Sequence, residues 1–223
     1  MGRKVGMVHA GCFNVRLFNE LTNEIMPGVE VVHLVDEGLP SLSDKQYHGR
    51  VVRRLGTLSS FAEESGAEIV MLTCTAFGRL TDEVKSMVNI PVLAVLEIVA
   101  DEAMKLSESV GVLATHPGAL SSASEIIKEQ AALTGKKVEI KPLLCEGAFD
   151  ALKREDWATH DSIVLKRLNE PMADVKVIVI PQPSIDRVVK QIPEANRKVP
   201  ILSSPHLSVQ HLKETLDGLA PPA

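Results

Sequence analysis

The sequence predicts an α/β protein made of two similar lobes, and two observations carry this prediction. Short apolar runs alternate with longer amphipathic stretches along the 223 residues. That order implies mostly parallel sheets with right-handed crossovers. In addition, the pattern of the first half of the chain returns in the second half at a nearly constant spacing. We therefore expect two small α/β lobes that meet near residue 97.

Eight runs have the length and apolar character of strands. Several are continuously apolar rather than alternating, as expected for strands that are buried on both faces of a parallel sheet. They are Val5–Val8, Val29–Val35, Glu68–Thr73, Val92–Val95, Val110–Ala114, Val138–Pro142, Val175–Ile180 and Ile201–Ser203. Amphipathic stretches predict helices between them, at 44–65, Leu80–Val88, 121–134 and 155–169.

Three strand segments recur in the same order. Val5–Val8 returns as Val110–Leu113 after 105 residues, Ile69–Cys74 as Val177–Gln182 after 108, and Ile90–Leu93 as Val199–Leu202 after 109. One apolar run resembles another by chance, but three matches at nearly one offset indicate a duplication. Cys74 and Gln182 are equivalent positions in this repeat.

Composition excludes several classes of function. The net charge is −5, aromatic residues make up 3% of the chain, and only Arg50, Arg53 and Arg54 approach a basic cluster. This argues against a nucleic-acid partner. No apolar run approaches the roughly 18 residues that a membrane helix needs, and the first residues lack an apolar signal segment. We expect a cytoplasmic protein with no membrane partner.

The three cysteines form neither a disulfide framework nor a zinc-ligand spacing, so no metal site is expected. Cys12 either faces the cleft between the two lobes or packs in the core, and packing is the favoured interpretation. Cys74 ends a buried strand just before a predicted helix, where backbone amides lower a thiol pKa from about 8.5 toward 7. It is either a reactive thiolate or a packed core residue. Cys145, which also follows an apolar run, is the reserve candidate for a second thiol.

Small and polar residues follow the other strands, at the edge where parallel sheets collect ligands. Gly11 permits close backbone approach, and Asn14 is a ligand donor or a helix cap. His116 is a general acid or base, or a structural histidine. The amide of Gln182 can bind a carboxylate but cannot abstract a proton. Ser184 contacts a ligand or caps the following helix.

The order of these segments resembles the aspartate/glutamate racemase superfamily, which also contains hydantoin and allantoin racemases, maleate isomerase and arylmalonate decarboxylase. The resemblance covers nearly the whole chain and is carried by Val5-Gly6, Val70–Gly78, Ile90–Val92, Val110–Thr115, Val177–Ser184 and Val199–Pro205. It implies two Rossmann-like lobes, 1–96 plus 205–223 and 97–204, related by a pseudo-twofold with the active site in the cleft between them. It also implies a homo-oligomer.

By the same resemblance, the protein is an isomerase that uses no cofactor or metal and acts on a small carboxylate or carbonyl compound. Cys74 matches the first catalytic cysteine of the family, Thr75 and Ala76 lie beside it as substrate binders, and Thr115 matches a threonine of the second lobe. The second family cysteine is replaced by Gln182. Racemisation therefore requires another group, such as Cys145 or His116, at the second face of the substrate. A single-cysteine lyase and a non-catalytic carboxylate binder are the alternatives.

Overall fold

The structure is a computed structural model and describes residues 2–42, 45–170 and 174–220. Strands and α-helices follow one another in the order β1 (Lys4–His9), α1 (Phe13–Ile25), β2 (Glu30–Val35), α2 (His48–Glu64), β3 (Val70–Leu72), α3 (Thr81–Lys85), β4 (Val92–Ala94), α4 (Val95–Leu106), β5 (Ser109–Ala114), α5 (Pro117–Leu133), β6 (Glu139–Leu144), α6 (Ala148–Lys153), α7 (Trp157–Asn169), β7 (Val177–Ile180), α8 (Pro183–Val189), β8 (Ile201–Ser203) and α9 (Ser204–Gly218). The predicted α/β class and each of the eight predicted strands are confirmed.

The chain forms two compact units. The first unit comprises Met1–Val95 and Pro205–Ala223, and the second comprises Leu96–Ser204. Each contains one four-stranded parallel sheet, with strand order β2-β1-β3-β4 in the first unit and β6-β5-β7-β8 in the second. The duplication predicted from the sequence therefore extends to the topology.

The two sheets also share their register. Gly6 pairs with Val70 in the first unit, and the equivalent residues Gly111 and Ile178 pair in the second. The third and fourth strands of the two sheets correspond in the same way. Residues that correspond in the sequence repeat, such as Cys74 and Gln182, therefore follow the same strand in their respective sheets.

The first sheet is buried on both faces because its side chains alternate between two apolar clusters. One face packs against α2 and α3, and its cluster includes Val8, Val51, Leu55, Ala62, Leu72 and Val84. The other packs against α1 and α9, and its cluster includes Val5, Met7, Phe18, Leu21, Met71, Val209, Leu212 and Leu216. A helix from the end of the chain thus completes the core of the first unit.

In the second unit, the corresponding core lies between one face of the sheet and α6, α7 and α8. Its cluster includes Leu113, Cys145, Ala148, Val164, Ile178, Ile180, Ile185 and Val188. Across the described residues of both units, no helix is long and apolar enough to cross a bilayer.

Three helices differ from the prediction, and the one expected at 121–134 begins at Pro117. The helix expected at 44–65 begins at His48. The helix expected over Leu80–Val88 is shorter, because a 3₁₀ segment, Thr75–Leu80, follows β3 and α3 covers only Thr81–Lys85. The hydroxyl of Thr81 donates to the carbonyl of Gly78 where one segment gives way to the other. The residue after Cys74 therefore enters a 3₁₀ turn rather than a long α-helix.

The absence of a side chain at Gly6 lets α2 lie close against β1. A Cβ at Gly6 would lie 2.5 Å from the Cβ of Ala62, which has no torsion with which to move away. We predict that Gly6→Ala lowers the free energy of unfolding by about 1–3 kcal/mol, the usual cost of overpacking. Urea unfolding followed by circular dichroism measures this loss.

The matched control is Gly49→Ala, in the first turn of α2, where a Cβ would meet nothing within 4 Å. Its effect should lie between zero and a gain of about 1 kcal/mol, because alanine favours helix over glycine. Equal effects of the two substitutions would contradict the close approach of α2 to β1.

Candidate functional site

Cys74 lies at the carboxyl end of the central strand β3, one residue beyond Thr73. It is half-buried, its backbone is extended with φ −84° and ψ 115°, and it occupies the N-cap position of the 3₁₀ segment. Its side chain packs against the apolar cluster on the α2 side of the sheet. Thr75, in the first turn of the 3₁₀ segment, is also half-buried. Ala76 follows in the same turn, and its side chain is outside the described part of the chain.

Two histidines and Thr73 form a hydrogen-bonded chain on the other face of this sheet. His9 is fully buried at the end of β1. Its Nδ1 lies 2.8 Å from Oγ1 of Thr73, and its Nε2 lies 2.9 Å from Nδ1 of His33 on β2. The chain thus joins the carboxyl-terminal halves of three neighbouring strands, next to Cys74.

The hydrogen-bond partners indicate which nitrogens carry protons. The hydroxyl of Thr73 donates to the carbonyl of Val8 at 3.0 Å, so His9 Nδ1–H donates to Thr73. The Nε2 of His9 then accepts from His33 Nδ1–H. Nε2 of His33 ends the chain as a buried lone pair, for which the described residues provide no partner. The opposite order would bury an unpaired N–H, which costs more than an unpaired lone pair.

Both imidazoles are held neutral. Burial, with a smaller contribution from His33, lowers the pKa of His9 to about 3. Burial also lowers the pKa of His33. The neutral forms are those that the hydrogen-bonded chain requires, since a second proton on His9 would turn its accepting Nε2 into a donor facing a donor.

Cys12 and Glu37 form a second polar group at this edge of the first sheet. Cys12 is exposed, contrary to the expectation that it packs in the core, because α1 begins at Phe13 and leaves Cys12 at its N-cap position. Its amide donates to the Glu37 carboxylate at 3.2 Å. A separate hydrogen bond between the Cys12 thiol and the Glu37 carboxylate, together with the charge of Glu37, raises the pKa of this thiol.

Asn14 and Gly11 lie on either side of Cys12. Asn14 is 5% exposed in the first turn of α1, and its Oδ1 is a buried acceptor with no partner among the described residues. This oxygen is available to an N–H donor from water or from a ligand. Gly11 makes room for an aromatic ring, because a Cβ there would lie 2.4 Å from the ring of Phe13.

In the second unit, Thr115 and Gln182 join the ends of β5 and β7. The amide of Thr115 donates to Oε1 of Gln182 at 2.7 Å, and Nε2 of Gln182 donates to Oγ1 of Thr115 at 3.0 Å. The side chain of Gln182 is therefore held in one orientation. Its Nε2 carries a second hydrogen that can be donated to a ligand.

His116 and Ser184 begin the helices that follow these two strands. His116 is exposed and caps α5, with Nδ1 accepting from the amide of Gly118 at 3.0 Å. The neutral ring therefore carries its hydrogen on Nε2, and it lies 4.8 Å from the ring of Phe149. Ser184 is half-buried inside the first turn of α8. Of its two predicted roles, the helix cap is wrong, because Gln182 occupies the N-cap position.

Cys145 is a core residue. It is 1% exposed within the apolar cluster of the second unit, and burial raises the pKa of its thiol to about 12. A thiol in this position stays protonated at neutral pH, which argues against the reserve role considered for it. Among the residues that the structure describes, no three His, Cys, Asp or Glu side chains are grouped so that they could hold a metal ion.

The model of the Asp/Glu/Hydantoin racemase family matches residues 10–141, more than half of the sequence. This chain belongs to that family. The match begins just after β1 and ends within β6, so it includes Cys74, Thr115 and His116. It ends before Gln182, the position at which the sequence differs from a two-cysteine racemase. No curated protein matches the sequence.

Solved structures of racemases share the fold across nearly the whole chain. Aspartate racemase from Picrophilus torridus is 15% identical with a TM-score of 0.70, over 97% of this chain and 95% of that one. Glutamate racemase from Francisella tularensis, in complex with D-glutamate, is 14% identical with a TM-score of 0.70, over 97% and 81%. Allantoin racemase from Pseudomonas fluorescens is 15% identical with a TM-score of 0.66, over 97% and 92%. These neighbours confirm the fold of a racemase family member.

Sequence reasoning did not find the His33–His9–Thr73 chain. A signal was present in the sequence, since His9 ends one apolar run and His33 interrupts another. The register that brings them together with Thr73 is a property of the folded sheet. The roles predicted for the candidate site residues stay predictions.

The neutral state of His9 predicts acid sensitivity of this racemase family member. The unfolded state binds a proton at pH near 6.5, whereas folded His9 does so near 3. Stability should therefore fall as pH drops from about 6.5 toward 3, by up to about 5 kcal/mol from this residue. Urea unfolding at several pH values measures the slope.

His9→Gln should flatten this acid-side slope, and the control His48→Gln should leave it in place. His48 is half exposed and pairs with Glu83 on the surface. Identical slopes in the wild type and His9→Gln would show that His9 does not remain neutral in the folded protein.

A double-mutant cycle tests the link between β5 and β7. Thr115→Val and Gln182→Met should show an interaction free energy of about 0.5–1.5 kcal/mol, typical of a partly buried hydrogen bond. For comparison, Gln182→Met should add to Thr134→Val within about 0.5 kcal/mol, because Thr134 lies at the far end of α5. Additivity in both cycles would contradict the link.

Proposed function

We propose that this chain is a cofactor-independent racemase or isomerase in which the thiolate of Cys74 moves a proton at the carbon next to a carboxylate or carbonyl group. The placement of Cys74 carries the proposal. It lies at the carboxyl end of a central parallel strand, between Thr73 and Thr75, in a member of a racemase family. This edge of a parallel sheet is where ligands bind in open α/β folds.

The other two cysteines suit this role less well. Cys145 is buried and its pKa of about 12 keeps it protonated. Cys12 is exposed, and Glu37 raises the pKa of its thiol. Thiolate, not thiol, is the reactive form, so Cys74 is the cysteine best placed to act as a base.

In the proposed reaction, the thiolate of Cys74 takes the proton from the α-carbon. The C–H bond breaks, an S–H bond forms, and the electron pair moves onto the carbonyl oxygen as an enolate. The carbonyl group forms again when the α-carbon takes a proton from water on its other face, and the Cys74 thiol then releases its proton to water. Donors aimed at that oxygen stabilise the charge that develops there. The hydroxyl or amide of Thr75 and the amide of Ala76, in the first turn after Cys74, are proposed for this role.

The equivalent edge of the second unit presents donors rather than bases. Thr115 has a hydroxyl, Gln182 has the second hydrogen of Nε2, and His116 has Nε2–H. All three can donate a hydrogen bond, which suits the binding of a carboxylate oxygen. We assign substrate binding to Thr115 and His116, with Ser184 beside them. Gln182 polarises the substrate and does not carry the proton.

Asn14 supports a substrate that carries an N–H group. Its Oδ1 is buried and can only accept a hydrogen bond. An amine, an amide or a ring N–H would satisfy this acceptor. Amino acids and cyclic ureides therefore fit better than plain dicarboxylates.

A second candidate function is a single-cysteine lyase, favoured by the position of Gln182. Gln182 is equivalent to Cys74, but its amide does not ionise near neutral pH and is held by Thr115. A decarboxylase needs only one thiol, which protonates the enolate after the C–C bond to carbon dioxide breaks. A binder of small carboxylates without catalytic activity is the third candidate. A cytoplasmic homo-oligomer with small-molecule ligands remains the expectation from the sequence.

We predict that Cys74→Ser lowers the rate of α-proton exchange by about 10²–10⁴-fold, the range for loss of a general base. The enzyme would be incubated in deuterium oxide with single enantiomers of aspartate, glutamate, hydantoins and allantoin. Proton NMR measures loss of the α-hydrogen, and circular dichroism measures inversion. Cys12→Ser and Cys145→Ala are the matched controls and should keep most of the activity.

The outcomes separate the candidates. Exchange with inversion identifies a racemase, and carbon dioxide release from an arylmalonate without exchange identifies the lyase. Thermal stabilisation by a carboxylate without turnover identifies a binder. Full activity in Cys74→Ser would exclude the thiolate mechanism.

A further inference from the structure

We propose that His9 and His33 are positioning residues that hold Thr73 and thereby set the place of the Cys74 thiol. The proposal rests on the proposed function only for the role of Cys74. The two histidines do not touch a substrate in this proposal. They act through the strand end that carries the cysteine.

The chain of hydrogen bonds fixes the residue just before Cys74. The amide of Thr73 donates to the carbonyl of Val8 at 3.0 Å. The hydroxyl of Thr73 also donates to this carbonyl and accepts from His9 Nδ1. Three hydrogen bonds therefore tie Thr73 to the end of β1. Successive side chains on a strand point to opposite faces, so Cys74 is directed to the α2 face while Thr73 is anchored on the α1 face.

A fully buried polar side chain is costly unless its hydrogen bonds are made. His9 is 0% exposed, and it satisfies both ring nitrogens with Thr73 and His33. Its ring also packs 5.7 Å from that of Phe18 on α1. An apolar residue would fill this position at lower cost, so stability alone does not explain the imidazole pair.

The second unit supplies an internal comparison. By the repeat and the shared register, His9 corresponds to Ala114, Thr73 to Pro181 and His33 to Pro142. None of these three residues has a polar side chain. The histidine chain is therefore present only in the half that carries the candidate thiol.

The second unit instead links its strands one residue further along. Thr115 and Gln182 correspond to Ala10 and Cys74. The methyl group of Ala10 cannot bind the residue across from it as Thr115 binds Gln182. In the first unit, the cross-strand link is displaced to His9 and Thr73. The end of β3 is thus anchored through Thr73, and the Cys74 thiol needs no hydroxyl at position 10 to hold the strand.

The test compares His9→Leu with His9→Asn. Leucine removes both hydrogen bonds, whereas the amide nitrogen of asparagine replaces Nδ1 and can still donate to Thr73. The second-order rate of alkylation by iodoacetamide is measured for each cysteine by peptide mass mapping. Cys12 is the internal reference, since it lies at the same edge and outside the histidine chain. His48→Leu is the control for loss of an imidazole elsewhere.

We expect His9→Leu to change the alkylation rate of Cys74 by about tenfold relative to Cys12, because small displacements of a reactive group have large effects on rate. His9→Asn should return it to within about twofold of the wild type, as expected if the donor to Thr73 is what matters. With a substrate from the exchange screen, His9→Leu should lower kcat and leave KM nearly unchanged. An unaltered Cys74 rate in folded His9→Leu would overturn the proposal.

Two further measurements test the proposal if His9→Leu does not fold: a second pair of variants, and an NMR spectrum of the wild type. His33 is only half-buried, so its substitution is easier to tolerate. His33→Leu should change the alkylation rate of Cys74 as His9→Leu does, and His33→Asn should restore it. Long-range nitrogen–proton NMR of the wild type should show the Nδ1–H tautomer in both rings. An Nε2–H tautomer in His9 would overturn the proposed direction of the hydrogen bonds from His33 through His9 to Thr73. Alkylation needs no turnover, so it decides this proposal even if Cys74→Ser proves fully active.

Discussion

The pairing of the first and third strands in each sheet is the constraint on which the candidate site depends. Val8 pairs with Leu72, so the residues that follow, His9 and Thr73, are brought together at the strand ends. A register shift of one residue would turn every side chain to the opposite face. The apolar packing on both faces of the sheet opposes such a shift. The core therefore determines the geometry of the polar groups at the edge.

The two halves share one backbone plan and differ in the chemistry at their strand ends. Valine, isoleucine and leucine replace one another within the strands because any of them fills a buried parallel sheet. The edges are not interchangeable in this way. The first unit presents thiols and buried imidazoles, and the second presents neutral donors. The proposed division between proton transfer by the first unit and carboxylate binding by the second rests on this difference.

The strands, the duplication and the edge that carries Cys74 were predictable because they depend on local runs and on a general rule for parallel sheets. The polar contacts were not. His9 and Thr73 are 64 positions apart, and Thr115 and Gln182 are 67 apart, so no local pattern reports their contact. The expectation that Cys12 is packed was wrong because it rested on the average behaviour of cysteine, whereas the start of α1 leaves this residue exposed.

The packing of α9 has a consequence for the order in which the two units complete their folding. The second unit is one continuous segment, whereas Val209, Leu212 and Leu216 complete the core around Val5 and Met7. During synthesis on the ribosome, these three residues emerge only after the whole second unit has been made. The half of the protein that is translated first is therefore the last to close its core, and the strand bearing Cys74 reaches its final setting only then.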